Sequence, residues 1–184
     1  ESLFLDPFAE AKPFRTVAPL ANESAAVVVY NLTEPERPVR GVVTADDYAQ
    51  AGGMIQPEPV RWQAPREGLV VYDWYGGRAA PLGQGYEFSI EAFGDRLLLL
   101  CPVRDGWAVI GRSDKYLSPA TFDVLERDGA RMVLRPVETG PIAVWRAAGR
   151  VVCDEAEVAD AGGGLWIVQL PVGARDARIS LAVR

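Results

Sequence analysis

The chain has 184 residues, 49% of them hydrophobic, which is enough for a domain with a real core, yet no apolar run reaches the roughly 20 residues that span a bilayer. A formal net charge of −6 argues against nucleic acid, because phosphates call for a basic stripe and the basic residues here, nearly all Arg, are scattered. Histidine is absent, which removes Ser-His-Asp and Cys-His nucleophile systems and most zinc sites. No metal and no cofactor is expected.

Residues 1–20, ESLFLDPFAEAKPFRTVAPL, carry three prolines and no clean period. They read as an extended lead-in segment with apolar anchors at Leu3, Phe4, Leu5, Phe8 and Phe14. The abrupt acidic start, with no Met and no signal peptide, reads as a fragment or a processed piece. Residues 25–31 and Val39 to Thr44 are predicted strands. Ala45 to Tyr48 is a turn or short helix capped by Thr44 or Asp46. Residues 51–67, with Gly52-Gly53, Pro57, Pro59 and Pro65, read as loop.

From Gly68 the β signal is dense. Leu69 to Tyr75 and Arg78 to Leu82 flank a Gly76-Gly77 turn. Tyr86, Phe88, Ile90 and Ala92 alternate with Glu87, Ser89 and Glu91 in strict period two. Residues 96–116, RLLLLCPVRDGWAVIGRSDKY, then read as a β-hairpin turning at Arg104-Asp105-Gly106. Leu97, Leu98, Leu99 and Leu100 do not alternate, so both faces of that strand call for a cover. One cover is the domain core. The other is part of this chain, a partner, or a neighbouring domain.

Ser113 to Pro119 is a polar connection held by Tyr116 and Leu117. Thr121 to Arg127 and Ala130 to Val137 flank Asp128-Gly129, a strong hairpin signal. Further strands follow over 141–147, 150–154, 165–170 and 178–183. Roughly a dozen short strands with turn signals every 8–12 residues or so define an all-β fold, a two-layer antiparallel β-sandwich over 21–184.

Cys101 and Cys153 sit in apolar strands as free thiols, or as a disulfide if those strands face each other. The carboxylate pairs Asp46/Asp47 and Glu87/Glu91 have the chemistry for acid/base work on a glycosidic bond, but they fall where solvated acids are expected. Trp107, Trp145 and Trp166 lie within apolar strand patterns and are expected in the core. Trp62 and Trp74 divide between packing and ligand contact. Asp47, Tyr48, Trp62 and Trp74 are the candidate carbohydrate-facing residues.

SLFLDP at 2–7, a strand ending in Tyr30-Asn31, and GWAVIGRSDKYLSP at 106–119 resemble the C-terminal part of raffinose synthases and the alkaline α-galactosidases of glycoside hydrolase family 36. The resemblance spans the chain in layout but only these stretches in wording. Three departures, at Ser2, over Arg15 to Leu20 and over Pro35 to Val39, weaken any transfer of plant substrate preference and suggest a bacterial relative.

The resemblance implies a β-sandwich that follows a catalytic β/α barrel. The two catalytic aspartates of the family lie on that barrel, so no catalytic role passes to any residue here. The implied function is a non-catalytic, cytoplasmic domain that packs on the barrel and stabilises it. The alternative is a stand-alone carbohydrate-binding module. The expected partners are that barrel and galactosides, with a homo-oligomer left open.

Overall fold

The computed structural model describes residues 3–5, 13–32, 37–53 and 60–184, the first three as backbone only. Among these residues the chain forms sixteen strands and one α-helix. The first half holds β1 (Leu3–Leu5), β2 (Phe14–Pro19), β3 (Ala25–Tyr30), β4 (Val39–Val43), α1 (Ala45–Gly52), β5 (Leu69–Asp73), β6 (Arg78–Pro81), β7 (Tyr86–Ile90) and β8 (Asp95–Pro102). The second half holds β9 (Trp107–Arg112), β10 (Phe122–Arg127), β11 (Arg131–Pro136), β12 (Pro141–Arg146), β13 (Val151–Cys153), β14 (Glu157–Gly162), β15 (Leu165–Gln169) and β16 (Ile179–Val183). Their pairings are antiparallel.

The chain is an all-β sandwich protein, and the sandwich occurs twice. In the first half a six-stranded sheet, β1-β2-β3-β8-β5-β6, is covered on one face by the β4-β7 pair and α1. In the second half the sheet β14-β15-β12-β9 packs on the sheet β10-β11-β16-β13. A third core joins the halves. Val70, Tyr72, Leu97, Leu99 and Cys101 of the six-stranded sheet meet Ala108, Ile110, Ala143, Trp145 and Leu165 of β9, β12 and β15.

The leucine run lies at the centre of this stack. Leu98 and Leu100 enter the core under β4, β7 and α1, while Leu97 and Leu99 enter the core between the halves. All four are buried. Both covers therefore come from this chain, which answers the question raised by the missing alternation. Each leucine contributes about 1.5–3 kcal/mol through removal from water.

The expected hairpin at 96–116 is corrected. Its turn is real: Arg104 and Trp107 exchange backbone hydrogen bonds of 2.9 and 3.0 Å around Asp105 and Gly106, which both have positive φ. Its arms do not pair. β8 pairs with β3 and β5, and β9 pairs with β12. A flat hairpin would leave one face of two apolar strands in water. Sending the arms into facing sheets buries Leu97, Leu99, Ala108 and Ile110 against each other's layer.

The lead-in segment differs as well, since β1 and β2 are strands of the six-stranded sheet. Phe8, Pro35, Pro57 and Pro59 lie outside the described residues, as do the side chains of Leu3, Phe4 and Leu5. Cys101 is buried in the six-stranded sheet and Cys153 is half-buried in another; both are free thiols. Trp107, Trp145 and Trp166 are buried, as expected. The indoles of Trp107 and Trp145 donate to the carbonyls of Asp128 and Gly163, each at 2.9 Å.

Candidate functional site

Three of the four carbohydrate-facing candidates belong to α1 and the residues packed on it. Thr44 is the N-cap, and its hydroxyl accepts from Asp46 N–H at 3.3 Å. Asp47 Oδ2 accepts from Thr44 N–H at 2.8 Å, which completes a capping box. Arg15 Nη1, on β2, donates to Asp47 Oδ1 at 3.0 Å and ties the helix to the sheet. Asp47 is 3% exposed and Tyr48 2% exposed, so both are structural parts rather than sugar contacts. Burial pushes the Tyr48 phenol up to about 12.

Trp62 tilts against Tyr48 with ring centroids 5.2 Å apart. It also lies over Gly52, where a Cβ would come within 2.4 Å of its ring. Trp62 is thus a half-buried cover over α1. The neighbouring Asp46 is exposed and pairs with Arg61.

Trp74 is different. It follows β5 at the head of the Gly76-Gly77 turn, and its indole donates to the Lys115 carbonyl at 3.1 Å. Its ring stacks on Tyr116, centroids 4.4 Å apart and planes 30° apart, and meets Tyr75 edge-on at 5.4 Å. Tyr75, Tyr116 and Leu117 are 51%, 58% and 64% exposed. Tyr75 Oη donates to Asp95 at 2.8 Å, and that carboxylate holds the Tyr75 phenol up at about 12. Three adjoining rings and a leucine so form an apolar corner where the two halves of the chain meet.

The loop that carries Tyr116 and Leu117 is firmly mounted. Arg112 grips Asp114 with two hydrogen bonds of 2.7 and 2.6 Å and also donates to the Thr139 carbonyl. This guanidinium holds the Asp114 carboxyl below its ordinary value. Ser118 Oγ donates to the Arg112 carbonyl at 2.6 Å, and Thr121 Oγ1 accepts from Arg112 N–H at 3.1 Å. Gly111 permits this closeness, since a Cβ there would lie 1.9 Å from the Ser118 carbonyl oxygen. The connection is therefore held by Arg112, Ser118 and Thr121 together with the stack of Tyr116 on Trp74, while the Leu117 side chain is exposed. Sequence reasoning missed Tyr116 as a site residue. Its signal was the aromatic-apolar pair inside an otherwise polar loop.

No protein-family model matches the chain, and no curated protein matches it. No described helix is long and apolar enough to cross a membrane.

Proposed function

We propose that the chain is a non-catalytic β-sandwich domain of a glycoside hydrolase resembling raffinose synthases and alkaline α-galactosidases, and that it packs on and stabilises the catalytic barrel. The observation that supports this reading is the aromatic corner of Trp74, Tyr75, Tyr116 and Leu117. Exposed apolar surface of this kind marks contact sites, and a rigid mounting lowers the entropic cost of contact. Tyr116 and Leu117 also lie within GWAVIGRSDKYLSP, the stretch that carries the resemblance. The leucine run lends no support, because this chain covers it.

The test is the double substitution Tyr116→Ser with Leu117→Ser in the polypeptide that joins barrel and sandwich. The expected result is a melting temperature lowered by roughly 2–4 °C more in that polypeptide than in the 184-residue chain alone, where only the stack of Tyr116 on Trp74 is lost. An unchanged melting temperature in the joined protein contradicts the reading.

A carbohydrate-binding module is the second reading, favoured by one observation: Tyr75 presents an exposed ring beside the Asp95 carboxylate. Calorimetric titration with melibiose and raffinose decides it. A binding heat that disappears in Tyr75→Ala supports this reading, and no heat beyond dilution removes it.

A further inference from the structure

Strands β4, β6, β7 and β8 line a groove of about 690 Å³. Arg40, Arg78 and Arg96 line it, with Glu87 and Ser89. Asp73, at the end of β5, organises the cations. Its side chain has no exposed surface, and its Oδ2 accepts from Arg96 Nη1 at 2.6 Å and from Tyr86 Oη at 3.4 Å. Arg78 Nη2 lies 3.6 Å from the same oxygen. Gly76 N–H donates to Oδ1 at 3.0 Å, and Arg96 Nε donates to the Ser89 carbonyl at 3.2 Å.

One buried carboxylate fixes two guanidiniums and neutralises one. The side chain of Arg40, the third, has no ion-pair or hydrogen-bond partner among the described residues. Glu87 offsets one charge, so three arginines against two carboxylates leave this groove positive in a chain of net charge −6, while the acids Glu91 and Asp95 stand beyond it. A second hollow of about 280 Å³ shares Ser89 and Arg96 as walls and runs on to Tyr75, Glu91 and Asp95. The trough thus has fork-shaped cations at one end and a half-exposed aromatic ring at the other.

Guanidiniums match a carboxylate in two-point geometry, and an aromatic face suits the C–H face of a pyranose. We propose that this trough binds an acidic saccharide, a sugar bearing a carboxylate. The acid group sits among Arg40, Arg78 and Arg96, and the chain of sugar rings runs toward Tyr75. The proposal goes beyond the accessory-domain reading and does not need it. A loss of acidic-sugar binding leaves the barrel-packing test untouched, and the reverse also holds.

Calorimetric titration of the 184-residue chain tests it, with galacturonate and trigalacturonate as probes and galactose and inorganic phosphate as controls. The expected result is galacturonate binding about tenfold tighter than galactose, weakened by about 0.5 M NaCl. Arg40→Gln, at an exposed residue with no partner to lose, is expected to weaken it about tenfold without lowering the melting temperature. Arg78→Gln is expected to weaken it as well, with a small loss of melting temperature because its pairing with Asp73 goes too, and Tyr75→Ala to weaken trigalacturonate but not galacturonate. Four outcomes each overturn the proposal: no heat at about 10 mM probe, galactose as tight as galacturonate, phosphate as tight as galacturonate, or affinity unchanged in Arg40→Gln.

Discussion

Asp73 shows how much one buried residue holds together. Its carboxylate is the counter-charge for Arg96 and Arg78 and the acceptor that shapes the Gly76 turn. Asp73→Asn keeps the shape and removes the charge. Because Arg96 is partly exposed and water relieves some of the loss, the expected cost is roughly 1.5–3 kcal/mol, read as a lowered urea midpoint. A second residue-scale effect is alkaline. Burial pushes the Cys101 thiol from its ordinary 9.0 up to about 12, and the Tyr48 phenol from 10.0 to about 12. Both groups keep their protons longer in the folded chain than in the unfolded one. Their contribution is therefore complete below pH 9.0 for Cys101 and below pH 10.0 for Tyr48, and it is lost as pH rises toward about 12. Denaturant titrations across that window are expected to show falling stability, with a shallower fall in Cys101→Ala. A flat profile contradicts the burial argument. Asp47 shows why this scale is hard to read in advance. An acid three residues after a capping Thr looks the same whether it serves a cap or a ligand, and its partner Arg15 lies far back in the sequence.

Turns were legible, and so were the partners of β5 with β6 and of β10 with β11, but not those of β8 and β9. Asp105-Gly106 reverses the chain with both residues at positive φ, and at Asp128-Gly129 the Asp128 carboxylate makes the turn by accepting from Ala130 and Arg131 N–H at 2.7 and 2.8 Å. Local chemistry chooses the reversal, but burial of the arms chooses the sheet each joins. β10 and β11 pair as a hairpin, while β8 and β9 part into facing layers. β14, EVADAG, went unseen because it is an exposed edge with no apolar alternation. At this scale Gly111 makes the sharpest prediction. Its φ of 95° and the Ser118 carbonyl above it leave no room for a methyl group. Gly111→Ala is expected to cost roughly 1–3 kcal/mol or more and to loosen residues 113–119. A melting curve like that of the parent chain contradicts this.

Across the whole molecule, the greasy central strand announced two covers without saying whose they were. An unbroken apolar run reports burial on both faces, and burial is the same whether the cover is tethered or foreign. Here it is tethered: β4, β7 and α1 on one side, and β9, β12 and β15 on the other. The contact surface we propose is then the corner at Trp74, Tyr75, Tyr116 and Leu117, with the arginine trough as a second proposed site. Amide hydrogen exchange on the chain alone and on the polypeptide joined to the proposed barrel separates the two surfaces directly. Leu97 to Cys101 are expected to be strongly protected in both, with new protection on joining confined to Trp74, Tyr75 and residues 114–117. Rapid exchange at Leu97 to Cys101 in the chain alone, slowed only when the barrel is attached, would contradict it.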